Sequence, residues 1–145
     1  MDDFDSIERR VEIAAPIARV WQLVCEPGWY INDGSLTPHR IEKRGELSIV
    51  HDPVHGPFAF AAVELDEPRY AAFRWLQDPE DPETPSTLVE FRLTETAAES
   101  VILSVVESGL ASLPGTAAER RERFDDNVEG WRIELALAKR HLEGA

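Results

Sequence analysis

Basic residues are scarce in this chain of 145 residues: 15 Lys+Arg stand against 28 Asp+Glu, a formal net charge of −13. A nucleic-acid binder draws most of its affinity from cationic side chains that neutralise phosphates, and an acidic surface repels anionic lipid too. Neither nucleic acid nor membrane is therefore expected as a partner. Cysteine is nearly absent. Cys25 alone excludes an internal disulfide and a multi-cysteine metal site. No apolar run approaches the roughly eighteen residues of a membrane span, and the opening MDDFDSIERR has no apolar leader core, so a cytoplasmic location is expected. Also missing are the G-x-x-x-x-G-K-[ST] and G-x-G-x-x-G phosphate loops and the G-x-S-x-G nucleophile elbow, so nothing points to nucleotide chemistry or a common serine hydrolase. No cofactor is expected. No repeat or linker divides the chain, which reads as one domain over residues 1–145.

What is present is a clear change of period. Over residues 6–14 apolar Ile7, Val11 and Ile13 share one parity with Arg9, while Glu8, Arg10 and Glu12 share the other, the pattern of a half-buried strand. Pro16 fits a helix start; Ile17, Val20, Trp21 and Val24 then repeat at helical spacing. Pro27-Gly28 stops that helix, and Trp29-Tyr30-Ile31 predicts a short second helix or turn before an Asn32-Asp33-Gly34 turn. Strands follow at 40–44, 47–51, 57–66, 70–76, 86–95 and 100–108, broken by turn residues and by an acidic proline loop at 78–85. Joined by such short breaks, neighbours should pair antiparallel. Thr116 and Glu119 form a capping box, good for about 1 kcal/mol of helix start. Phe124, Val128, Trp131, Leu135, Ala138 and Leu142 recur at steps of three and four, giving a helix over 117–143 about 40 Å long. The fold class is α+β: a curved antiparallel sheet of about seven strands wrapped on a long carboxy-terminal helix, with two short helices after the first strand.

Glu107 is the residue with chemistry in it. It shares the parity of Val101, Leu103 and Val105, so a carboxylate faces the apolar side of its strand, where it needs a partner or a wet cavity. Arg9 has the same inward parity, and an Arg9–Glu107 ion pair is one possible answer; solvent at the strand end is the plainer one. Aromatic residues gather in the turn region, the sheet and the tail: Trp29, Tyr30, Phe58, Phe60, Phe73, Trp75, Phe124 and Trp131. Such faces line an apolar ligand site or simply fill a core. Ala59, Ala61, Ala62, Ala71 and Ala72 leave space in the central strands, which tilts the reading toward a cavity. The expected lining is Trp29, Tyr30, Phe73, Trp75, Phe124, Asn127 and Trp131, with Glu107 at a polar end. His51 and His55 form an H-x3-H pair, but Asp52-Pro53-Val54 and Gly56-Pro57 make this a turn, so no metal is expected. Ile133 and Leu137 lie opposite the main helical stripe; they pack internally or mark a contact with a protein partner or a second copy. Gly130 in mid-helix suggests close approach of a backbone or ligand.

Several stretches carry a resemblance. Ile13-Ala14-Ala15-Pro16-Ile17-Ala18-Arg19-Val20-Trp21 resembles the entry of the START/Bet v-like SRPBCC superfamily, the helix-grip fold. Further pieces resemble the activator of heat-shock-protein-90 ATPase homologue family, of its C-terminal-domain type. These are Glu64-Leu65-Asp66-Glu67-Pro68-Arg69-Tyr70 with Phe73-Arg74-Trp75, Ser86-Thr87-Leu88-Val89-Glu90-Phe91, Glu107-Ser108-Gly109-Leu110, and Gly130-Trp131 leading to Leu142-Glu143-Gly144. Glu67 stands where that family has a proline. The resemblance implies a deep cavity between sheet and long helix, and a name linked to chaperone regulation. The leading expectation is a non-enzymatic protein holding an apolar or amphipathic small molecule in that cavity. Its rivals are a chaperone-regulating interaction module and a cyclase- or hydrolase-like enzyme with Glu107 as general base.

Overall fold

The computed structural model describes residues 5–32, 36–81 and 83–144. Alternation of apolar and polar residues builds seven strands: β1 (Ile7–Ile13), β2 (Arg40–Arg44), β3 (Leu47–Asp52), β4 (Gly56–Asp66), β5 (Tyr70–Leu76), β6 (Ser86–Ala97) and β7 (Ser100–Ser108). Helix α1 (Ile17–Val24) follows β1, a single 3-10 turn (Leu110–Ser112) follows β7, and α2 (Ala117–Glu143) ends the fold. All strand pairs are antiparallel, in the order β1-β7-β6-β5-β4-β3-β2. Consecutive strands from β2 to β7 are neighbours, as short hairpins require. Strand β1 sits at the far edge beside β7, so the chain must cross the sheet through α1 before β2 begins.

The second short helix expected at Trp29–Ile31 is instead a pair of turns, closed by Trp29 N–H to Glu26 O and Ile31 N–H to Gly28 O. The physical reason is Gly28. Its φ of +71° lies in the left-handed region, and a Cβ there would come within 2.9 Å of Val50 Cγ2 and 3.0 Å of Phe60. The chain reverses where only glycine fits and thrusts Trp29, Tyr30 and Ile31 into the core. Of the turn expected at 32–34, Asp33 and Gly34 lie outside the described residues.

Helix α2 starts on the expected capping box, with Glu119 N–H donating to Thr116 Oγ1 and Thr116 N–H to Glu119 Oε1. Its stripe Trp131, Leu135, Ala138 and Leu142 is buried in the main core, with Phe124 and Val128 packed against it. The carboxy-terminal half lies on β1. Lys139 donates to Glu12 O, and Ala14 N–H donates to Glu143 Oε2. Leu137 belongs to this half and is only 5% exposed, whereas Ile133 is 40% exposed. The two therefore do not form one outward face, and a partner could reach only Ile133.

Two further expectations need correction. Arg9 is exposed, with Nη1 donating to Glu8 O; the residue opposite Glu107 on β1 is Ile7, so no Arg9–Glu107 pair forms. The alanines do not open the space between sheet and helix. Ala59 packs on the other face of the sheet with Ile49 and Leu76, Ala62 is exposed, and only Ala71 belongs to the main core. The hollow that the resemblance implied is occupied at its centre by Tyr30. Its ring lies 4.7 Å from Trp131, 5.3 Å from Trp75 and 5.8 Å from both Phe60 and Phe91. Among the described residues no helix is long and apolar enough to cross a membrane.

Candidate functional site

Glu107 stands near the end of β7 on its buried parity, and its side chain is sealed at 1% exposure. Three donors from two directions hold it. Thr87 sits on the inward parity of β6, where Val89 is the direct partner of Glu107, so its hydroxyl approaches diagonally and donates to Oε2 at 2.8 Å. Asn127 and Trp131 are four residues apart on α2 and share a face. Asn127 Nδ2 donates to Oε1 at 3.0 Å and Trp131 Nε1 to the same oxygen at 2.9 Å. Burial pushes the Glu107 carboxyl above its ordinary range, and the bonds from Trp131, Thr87 and Asn127 oppose that rise without cancelling it.

This carboxylate is part of the wall of a cleft of about 240 Å³. Phe58, Trp75, Leu76 and Leu113 give it apolar walls; Gln77, Thr87, Arg123 and Asn127 supply the remaining polar groups. Across Trp75 and Asn127, which belong to both, lies a second cleft of about 110 Å³ bounded by Tyr30, Gly130, Trp131 and Glu134. A Cβ on Gly130 would meet nothing within 4 Å, so the missing side chain faces open space. Arg123, Asn127, Gly130 and Glu134 succeed one another at helical spacing, so both clefts run along one side of α2.

Two buried donors here have no hydrogen-bond partner among the described residues: Arg123 Nη1 and the Tyr30 hydroxyl. Arg123 Nη2 donates to Pro114 O at 3.3 Å. Burial, and then the charge of Glu107, pushes the Tyr30 phenol well above its ordinary value, so it stays a neutral O–H donor. Burial also raises Glu134, against the bond from Asn32 Nδ2 at 2.7 Å and the charge of His55.

Of the residues expected to line a cavity, Trp75, Glu107 and Asn127 border the larger cleft, and Tyr30 and Trp131 the smaller. Trp29 and Phe73 are fully buried in the packed core and border neither; Phe124 packs against that core. Thr87 and Arg123 were missed. Parity with Val89 and Phe91 marks the first, and a step of four before Asn127 marks the second. His51 and His55 do not converge: His51 Nε2 meets Glu42 Oε1 at 3.1 Å, and His55 Nε2 meets Asn32 O at 3.2 Å. The buried pair at that end of the sheet is His39 Nε2 with Asp52 Oδ1, at 2.8 Å. Asp52 Oδ2 also accepts the N–H groups of Val54 and His55, which fixes the β3–β4 turn. Burial acts to raise the Asp52 carboxyl, but these bonds outweigh it and hold the group below its ordinary range. Among the described residues, no three His, Cys, Asp or Glu side chains are grouped to hold a metal ion.

No family model matches the chain, and no curated protein matches it in sequence. Solved structures match it closely in shape. Protein MLL2253 from Mesorhizobium loti superposes with a TM-score of 0.70 at 15% identity, over 97% of this chain and 98% of that one. Protein NE0264 from Nitrosomonas europaea gives 0.68 at 18%, over 99% and 97%. The Aha1 dimer from Colwellia psychrerythraea gives 0.65 at 20%, over 95% and 96%. At such identities the likeness speaks for architecture. A seven-stranded antiparallel sheet closed by a long terminal helix is the helix-grip fold, and these structures match it over nearly their whole length.

Proposed function

We propose that this chain is a non-enzymatic binding protein that takes an apolar or amphipathic small molecule into the cleft between α2 and strands β5–β7. One observation carries the reading: a buried carboxylate, Glu107, and an arginine, Arg123, with a buried guanidinium nitrogen that has no partner among the described residues, border one cleft whose walls are part apolar and part polar. Concave sites with mainly apolar walls and a few converging polar groups are the usual form of small-molecule sites. At 240 Å³ the cleft suits a small ligand, or one part of a longer one. Glu107 is better placed to organise the wall than to move protons. Both of its oxygens already accept hydrogen bonds, from Thr87, Asn127 and Trp131, and among the described residues no second acid or base hydrogen-bonds to it. Trp75 would supply an apolar face, with Asn127 and Arg123 fixing the polar end.

The experiment is a thermal-shift screen of apolar, aromatic and amphipathic compounds, repeated on Trp75→Ala. Stabilisers that lose their effect in the variant support the reading. A screen without any stabiliser, joined to a crystal structure with an empty, closed cleft, overturns it. The cytoplasmic location expected from the sequence stays part of this proposal, and fractionation of native cells checks it. A second reading rests on Ile133, exposed on α2, and on the dimeric state of the Colwellia Aha1 structure: self-association through that residue. Sedimentation of wild type and Ile133→Glu tests it. A dimer that dissociates in the variant favours this reading, and a monomer in both discards it.

A further inference from the structure

Two donors sealed from water have no partner among the described residues, and the residues that carry them border two clefts that share Trp75. Arg123, whose Nη1 is one of them, borders the larger cleft, and Tyr30, whose hydroxyl is the other, borders the smaller. The Trp75 indole borders both clefts and lies 5.3 Å from the Tyr30 ring. It is only partly buried, unlike Trp29, Tyr30 and Trp131. An unmet buried donor costs roughly 1–3 kcal/mol, which a group supplied from outside can relieve. Along α2 the backbone rises about 12 Å from Arg123 to Trp131, whose ring lies against Tyr30.

Charge narrows the class of ligand further. Glu107 and Glu134 stand in the walls, and the whole chain bears a net charge of −13, so the surrounding field opposes an anion. Both unpaired groups are donors and both call for an oxygen acceptor. We propose that the two clefts are one groove parted by the Trp75 ring, and that its ligand is elongated, uncharged and mainly apolar, with a carbonyl-type oxygen near each end. One oxygen accepts from Arg123, the other from Tyr30; the apolar middle passes Trp75 over the open space at Gly130. This rests on the cleft being a binding site at all, and the test separates the two.

The probes are dimethyl decanedioate, methyl decanoate and the decanedioate dianion, titrated calorimetrically into wild type, Tyr30→Phe and Arg123→Lys. Wild type is expected to bind the diester about tenfold or more tighter than the monoester or the dianion, the worth of one acceptor met by a buried donor. Tyr30→Phe removes an atom without a protein partner, so its melting curve is retained while the diester falls to the affinity of the monoester. Arg123→Lys keeps the charge and loses the fork, and weakens both esters. A diester advantage that survives in Tyr30→Phe, or equal affinity for diester and monoester in wild type, overturns the proposal. Tightest binding by the dianion overturns the uncharged class. If none of the three binds but the broad screen yields stabilisers, this ligand class falls and the binding site stands; if neither yields any, both fall.

Discussion

Glu107 sets the pH response of the site. Its folded-state pKa lies above the ordinary value of 4.5 because burial penalises the charge. The folded protein therefore binds its proton more tightly than the unfolded chain does. The contribution of this group to stability is fully present below about pH 4.5 and is lost as pH rises through the folded-state pKa. Glu107→Gln can keep three hydrogen bonds: its carbonyl accepts from Asn127 and Trp131, and its amide donates to Thr87 Oγ1, which serves equally as acceptor. Denaturant titrations should show the variant gaining on wild type as pH rises from 4.5 toward 8, with the difference vanishing in acid; a constant difference refutes the account. Tyr30→Phe, freed of an unpaired hydroxyl, should equal wild type or exceed it by up to about 1 kcal/mol in the absence of ligand. Strand parity alone made Glu107 legible, since alternation holds through residue 108. The same parity misplaced Arg9, because Thr87, Asn127 and Trp131 already hold the neighbouring Glu107 carboxylate and the long side chain at the sheet edge turns to water instead. Arg123 was illegible for a related reason: a cation on a polar helical segment reads as solvated until the fold brings the Pro114 carbonyl beside it.

Elements were read from period, and period is reliable where it runs for several turns or several alternations. All seven strands and the long helix lie where the pattern puts them, within two residues at their ends. The segment after α1 is different. Three apolar residues behind a glycine carry no period, and the positive φ of Gly28, which turns them inward, depends on Val50 and Phe60 from strands twenty and more residues away. Gly28→Ala should therefore destabilise by about 2 kcal/mol or more, from strain at positive φ and overpacking together, as measured by chemical denaturation. Gly130 has the opposite character. Its helix position is ordinary and its surroundings are open, so Gly130→Ala should raise stability by about 0.5–1 kcal/mol. That methyl group enters the smaller cleft, and the gain in melting temperature should come with weaker binding of any ligand found by screening. Thr116→Ala, which breaks the capping box at the start of α2, should cost about 1 kcal/mol in the same assay.

The whole molecule is where reading from sequence stops. Amphipathic faces show which residues turn inward; they do not say whether the volume between sheet and helix is hollow. That depends on where a single large side chain goes, and Tyr30, delivered by a turn rather than by an element, takes the middle and leaves clefts on one side of α2. Coupling between binding and stability is a property at this scale as well. A ligand present at about 100 times its Kd should add about 2.7 kcal/mol to unfolding, and the shift should grow with the logarithm of its concentration. A shift that saturates early indicates binding to the unfolded chain too.

The edge position of β1 has a consequence for synthesis. Among the described residues its one neighbour in the sheet is β7, and Ile7 pairs with Glu107, so β1 leaves the ribosome about a hundred residues ahead of its partner. Until then its open hydrogen-bonding edge could recruit another nascent chain. Glu8, Arg10 and Glu12, charges spaced along the outward side of that strand, act as gatekeepers during the interval. The strand that completes the wall beside the buried carboxylate is thus made long before the strand it pairs with.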